Sequence, residues 1–182
     1  MKRKIIVVGL IVAVAGAVAA AAAFAVSGGD LPADRTSGHV VIGSPGNEIL
    51  GGDPGTSSIA IESWSWGVSN ITSGGGGGGG GGRAELQELT ITKTVDRASP
   101  VLALKCAQGA HIPQVVLTVD RPGGSGRPYM EYKLTDVIIT HVRPAGSRAA
   151  IPIEQVSFNY QHIQLQYTTR DGEVVQAQMD NF

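Results

Sequence analysis

Nine consecutive glycines, Gly74 to Gly82, interrupt this chain between two stretches with strong strand patterns. Glycine loses more backbone freedom on ordering than any other residue, so this run holds no regular structure unaided. As a flexible coil it spans roughly 15–18 Å. It is read either as a loop between two strands or as a loop that orders against a neighbouring subunit. No Gly-Lys-Ser or Gly-Lys-Thr follows it, so it is not a phosphate-cradling loop. Before it, residues 59–68 read Ile-Ala-Ile-Glu-Ser-Trp-Ser-Trp-Gly-Val. Trp64, Trp66 and Val68 are spaced by two and are expected on one strand face. Indole rings bury large areas, so that face is expected to meet a core or a subunit interface rather than stack on carbohydrate or peptide.

Strand signals continue on both sides. A first strand is expected at about 38–43, around Val40-Val41-Ile42. Leu89, Ile91 and Val95 alternate with Thr90, Thr92 and Thr94, and Val115, Leu117 and Val119 alternate cleanly. Tyr132 and Leu134 share a face, but Val137 and Ile139 are out of phase with them; Phe158 and Tyr160 stand in the same relation to Ile163, Leu165 and Tyr167. These two breaks predict β-bulges near Thr135-Asp136 and Gln161-His162. Long bent strands suit a barrel, or a sandwich with corners. A last strand is expected from Glu173 to Gln178. One helix is expected, with Ser99 as N-cap, Pro100 at the first position, a stripe of Val101, Leu102, Leu104 and Cys106, and a stop at Gly109.

The N-terminus reads as a targeting element. Lys2-Arg3-Lys4 precedes an uncharged stretch, Ile5 to Val26, with small residues at Ala23-Phe24-Ala25. Residues 1–26 are expected to be either a cleaved signal peptide or an uncleaved membrane anchor, since about 20 apolar residues suffice to span a bilayer. Both place the domain outside the cytoplasm. There is no cysteine near the cleavage region and no Arg-Arg pair, which points to the general secretion route and away from a lipoprotein. Residues 27–37 form a flexible tether, and 38–180 the domain, with its Gly-rich loop at 70–83. Without Lys2, Arg3 and Lys4 the chain has 11 basic against 15 acidic side chains, a net charge of −4. That balance argues against a nucleic-acid surface.

No residue constellation points to catalysis, a cofactor or a metal. His39, His111, His141 and His162 lack ligand spacing and read as surface or strand-end histidines. No serine lies in a Gly-x-Ser-x-Gly elbow. Asp96, Asp136 and Glu154 read as turn and capping chemistry, with Asp96 beside the helix start. Cys106 excludes an intrachain disulfide and is either a small buried hydrophobe or a thiol bridging two subunits.

Taken in order, several segments resemble the hemolysin-coregulated protein family, Hcp, the tube subunit of type VI secretion systems. They are Ile61 to Ser69 with the glycine run, Leu89 to Pro100, Leu104 to Ile112, Glu131 to Ile139 and Pro152 to Tyr160, within a match from about Val40 to Tyr167. The resemblance implies a mostly β fold: a small β-barrel of two antiparallel sheets with one short flanking α-helix. It also implies a six-membered ring, a homohexamer with a central channel, stacking into a tube that a contractile sheath propels, with small effector proteins as cargo. The family carries no catalytic residues. Family members lack a signal peptide, and a subunit exported through Ile5 to Val26 does not reach a cytoplasmic sheath. The C-terminus, Gln176 to Phe182, also departs from the family's ending. The expected function is therefore a non-enzymatic, ring- or tube-forming subunit, exported from the cytoplasm to the periplasm or beyond. The alternative is a secreted binding module or chaperone that captures a small effector or partner protein in a ring channel.

Overall fold

Alternating apolar and polar residues become eleven strands and one helix in the computed structural model, which describes residues 38–51, 56–71, 83–121, 128–148 and 150–181. In chain order these are β1 (Gly38–Ser44), β2 (Asn47–Glu48), β3 (Ser58–Ile61), β4 (Ser63–Ser65), β5 (Val68–Ile71) and β6 (Arg83–Leu86). They continue with β7 (Leu89–Thr94), α1 (Ser99–Gln108), β8 (His111–Asp120), β9 (Pro128–Ser147), β10 (Ala150–Thr168) and β11 (Val174–Asp180). All described residues belong to one compact unit, Ala33–Phe182. The targeting segment 1–26, the tether 27–37 and the glycines 74–82 lie outside the described residues. Among the described residues, no helix is long and apolar enough to cross a membrane.

The fold is mostly β, in two antiparallel sheets with one helix. The larger sheet runs β2-β1-β8-β9-β10-β7-β4, with β3 on β1 and β11 on β10; β5 and β6 form the second. Closure into a barrel, expected above, needs correction: the hydrogen-bonded path stays open from β2 to β4. The Trp-bearing segment touches both ends of that path. Its first half, β3, pairs with β1 from Gly38↔Ile61 to Val41↔Ser58. Its second half, β4, pairs with β7 from Ser63↔Thr92 to Ser65↔Thr90. The chain bends between them at Glu62, whose N–H donates to the Thr92 carbonyl at 2.8 Å. One short segment divides its hydrogen bonds between two strands, which is how sandwich corners are made.

The phase breaks are real, but they are not bulges. Buried positions are three apart between Leu134 and Val137 and between Tyr160 and Ile163. The same spacing occurs in β8, between Ile112 and Val115. Register nevertheless runs unbroken through this level, with Thr135↔His162 and Val137↔Tyr160 on one side and Gln114↔Thr135 and Ile112↔Val137 on the other. Three neighbouring strands change phase together, at the level of Pro113, Asp136 and Gln161, so the sheet creases without slipping. Asp136 takes φ 54°, the left-handed conformation that swings the following residues to the other face. Pro113 has no N–H to lose at this level. Further along β9 and β10 the register does shift, between Ser157↔His141 and Phe158↔Ile139, leaving Thr140 as the extra residue of a bulge.

The apolar core takes Val40, Ile42, Val115, Leu117 and Val119 from β1 and β8, as their alternation predicts, and Phe158 and Ile163 from β10. In β7, Leu89 and Ile91 point inward, but the next inward residue is Lys93, fully buried, while Val95 is exposed. The ammonium lies 2.8 Å from each of the Thr94 carbonyl, Asp96 Oδ1 and Glu154 Oε1, which uses its three donors. The same carboxylates hold the start of α1. Ser99 Oγ donates to Glu154 Oε1 at 2.7 Å, and the Ala98 N–H donates to Asp96 Oδ1 at 2.9 Å. The Asp96 N–H donates to Ser99 Oγ at 3.0 Å. Asp96 therefore shapes the turn that leads into the helix, accepting from the Ala98 N–H with its side chain and from the Ser99 N–H with its carbonyl. Ser99 is not the N-cap; Ala98 is, and Ser99 faces Glu154 instead. Glu154 is not a turn residue but a buried strand partner. Of the expected helix stripe only Leu102 is buried; Val101 and Leu104 face solvent and Cys106 is half-buried. Gly109 ends the helix as predicted, at φ 58°, with the Ala110 N–H returned to the Lys105 carbonyl at 3.0 Å.

The Lys93→Met variant leaves two carboxylates without their cation, one of them fully buried. Its stability is expected to fall by about 3–5 kcal/mol, read from chemical denaturation. A loss under about 1 kcal/mol would show that the cluster does not hold the helix start.

Candidate assembly surfaces

Trp64 and Trp66 pack partly buried against the core, so the preference for core over ligand stacking holds. The shared face ends there. Val68 begins β5 in the second sheet and is half exposed, because the chain turns out of the main sheet at Trp66-Gly67. The Trp66 ring meets Tyr132 edge-on, with centroids 6.1 Å apart. Its Nε1–H donates to the Tyr160 hydroxyl at 2.5 Å, and that hydroxyl donates to the Gln87 carbonyl at 2.9 Å. The Gln87 N–H closes the root by donating to the Gly67 carbonyl at 2.9 Å. From this root β5 and β6 project as a two-stranded ribbon, in register from Val68↔Leu86 to Ile71↔Arg83. Both of its outer edges are unpaired among the described residues. Residues 72–82, with the glycine run, connect its two strands.

Exposed apolar side chains gather at the two ends of β10. At the start, Ile151 is 74% exposed and Ile153 42%, and the Val95 N–H donates to the adjoining Pro152 carbonyl at 2.9 Å. At the other end Tyr167 pairs with Val175 and Thr168 with Val174, and Tyr167, Val174 and Val175 are all exposed. Arg121 steadies that end: its guanidinium stacks 5.5 Å from the Tyr129 centroid and donates to the Thr168 carbonyl at 2.9 Å. Tyr129 in turn meets Tyr167 edge-on at 6.2 Å. Among the described residues, β11 is paired on one side only and offers a free edge, the feature that invites strand pairing between molecules.

Each of the four histidines lies beside a carboxylate on the sheet surface. His111 Nδ1 is 2.8 Å from Asp136 Oδ1, and His162 Nδ1 is 2.7 Å from Asp180 Oδ1. His39 and Asp120 are 3.6 Å apart, His141 and Glu88 3.9 Å. This agrees with surface and strand-end positions; among the described residues, no group of three or more candidate ligands forms. Asp96 and Glu154 come together on Lys93, whereas Asp136 sits with His111 at the crease. A half-open cleft of about 150 Å³ lies there, lined by His111, Asp136, Ile138, Thr140, Asn159, Tyr160 and Gln161. Sequence reasoning missed the Lys93 cluster and the Trp66–Tyr160–Gln87 root. Lys93 was legible in principle, since it shares the phase of Leu89 and Ile91. The root joins residues 94 and 73 positions apart, and nothing local marks it.

The family model described as type VI secretion system effector, Hcp, matches residues 52–167, more than half of the chain. Among curated proteins, Protein hcp1 of Pseudomonas aeruginosa is 36% identical over 93 residues, which is 50% of this chain and 57% of that relative. The match thus spans little more than half the length of this curated relative. Among solved structures, a type VI secretion system effector from Yersinia pestis is 26% identical with a TM-score of 0.62, covering 79% of this chain and 98% of that one. Hcp2 from Salmonella typhimurium is also 26% identical, with a TM-score of 0.58, over 79% and 94% of the two chains.

Burial raises the Tyr160 phenol above its ordinary value of 10.0, and the hydrogen bond from Trp66 opposes that only in part. The folded state therefore holds this proton more tightly than the unfolded state. The resulting stability is complete below about pH 10 and is lost as pH rises through the folded value. Denaturation midpoints from about pH 9 to 11 are expected to fall more steeply for the wild type than for Tyr160→Phe. Parallel curves would contradict this.

Proposed function

This chain belongs to the Hcp family of type VI secretion system effectors, and we propose that it is a structural subunit whose copies close into a six-membered ring. The observation that carries this reading is the combination of exposed apolar residues at the two ends of β10 with the free outer edge of β11. An isolated subunit leaves Ile151, Ile153, Tyr167, Val174 and Val175 in water and the β11 edge unpaired. A closed ring of copies covers the apolar residues and satisfies the edges without starting an open polymer. Rings stack through the β5–β6 ribbon, and the channel of the ring is the place for a small effector protein. The reading is non-enzymatic: the carboxylates at Lys93 are consumed in holding the helix.

We further propose that the segment 1–26 directs export and is cut at Ala25, so that the assembly works beyond the cytoplasm. N-terminal sequencing distinguishes a chain that starts just after Ala25 from one that starts at Met1 and stays with membranes.

Light scattering after size-exclusion chromatography is expected to give a mass about six times that of the protomer. The double variant Ile151→Glu, Ile153→Glu is expected to shift that mass toward the protomer while its thermal midpoint stays within a few degrees of wild type. A wild-type protein that remains a monomer at high concentration would overturn the reading.

A further inference from the structure

The β5–β6 ribbon leaves the main sheet through Trp66-Gly67 and returns through Gln87. One side chain from the middle of β10 holds both crossings. The Tyr160 hydroxyl accepts from Trp66 Nε1–H at 2.5 Å and donates to the Gln87 carbonyl at 2.9 Å. Its one proton is thus committed to the returning strand and a lone pair to the departing one. The Tyr160 residue is buried, and Trp66 is braced against Tyr132 of β9. Beyond the root little fixes the ribbon. Val68, Ser69, Asn70, Ala84 and Glu85 are exposed, and no third strand joins the sheet among the described residues. A two-stranded ribbon is marginal in water without such support. Residues 72–82, with nine consecutive glycines, join its two strands.

We propose that Tyr160 is the positioning residue that sets the direction in which the ribbon leaves the subunit, and through it the fit of the ribbon to the next ring of the stack. The stacking half of this rests on the function proposed above. The hydroxyl is suited to the role because it binds both crossings at once. Losing it frees them together, while the ring of the side chain still fills its place in the core.

The test is Tyr160→Phe in the full-length protein, which removes one oxygen atom. The variant is expected to keep its ring mass. Hydrogen exchange at the amides of residues 68–71 and 84–86 is expected to speed up about fivefold to tenfold, and stacked rings to become several times scarcer at equal protein concentration. Leu165→Ala, further along β10, serves as the control for lost stability alone: it lowers the thermal midpoint without loosening the ribbon selectively. Unchanged ribbon exchange in Tyr160→Phe would overturn the proposal. So would ribbon exchange no faster than in the Leu165→Ala control once midpoints are matched. If wild-type rings do not stack and Tyr160→Phe still loosens the ribbon, the positioning role stands and the stacking contact falls. Should Tyr160→Phe fail to fold, Trp66→Phe removes the N–H that donates to the Tyr160 hydroxyl and reads the same exchange.

Discussion

The ladder between β9 and β10 is the interaction on which the rest of the molecule hangs. Its pairs run from Met130↔Tyr167 to Ser147↔Ala150; β8 attaches to β9, β7 and β11 attach to β10, and the remaining strands of the larger sheet follow through β8 or β7. β10 carries three separate attachments along one side of its length. Glu154 reaches the buried Lys93 and the start of the helix. Tyr160 reaches the root of the ribbon. Residues 162–168 pair with β11. Helix, ribbon and free edge are therefore fixed relative to one another by a single strand. A strand of this length would drift in its twist without a means of control, and the crease supplies one.

That crease is economical in residues. A bulge changes phase in one strand and shifts the register of its partners, so each neighbouring strand would need its own compensation. Here β8, β9 and β10 change phase at one level and every pair across it stays in step. Asp136 adopts the left-handed conformation, with His111 2.8 Å away at its carboxylate. A true bulge is kept for Thr140, whose hydroxyl donates to the Ser157 carbonyl at 3.2 Å. Both devices bend the strands toward the core, which receives Val137, Ile139, Phe158 and Ile163 from the two sides of the crease.

Local pattern made much of this legible. β1 alternates through Val40 and Ile42 and β8 from Val115 to Val119, the helix stops at a glycine, and the last strand lies where it was expected. What escaped was non-local. The β7 alternation placed Lys93 on the apolar face, but its partner Glu154 is 61 residues away, and a lysine in an inward slot has no meaning until that partner is known. The helix stripe misled because the core-facing line of α1 is Ala98, Leu102 and Cys106, four residues apart, and Val101 and Leu104 lie off it. The phase breaks were visible, but one strand alone cannot show whether its neighbours break at the same level. Barrel closure failed as an expectation because the hydrogen-bonded path stays open from β2 to β4, and no residue preference announces the bend at Glu62 that divides the Trp-bearing segment between β1 and β7. The family was legible because an ordered series of short segments carries it, although no single one is specific.

Exposed apolar residues at both ends of β10, a free edge on β11 and a ribbon with two open edges together describe a subunit built to be completed by copies of itself. Negative-stain electron microscopy of the purified protein tests this most directly. The account predicts annular particles with a central channel and, at higher concentration, short cylinders of stacked rings. Fields of single compact particles at every concentration would contradict it.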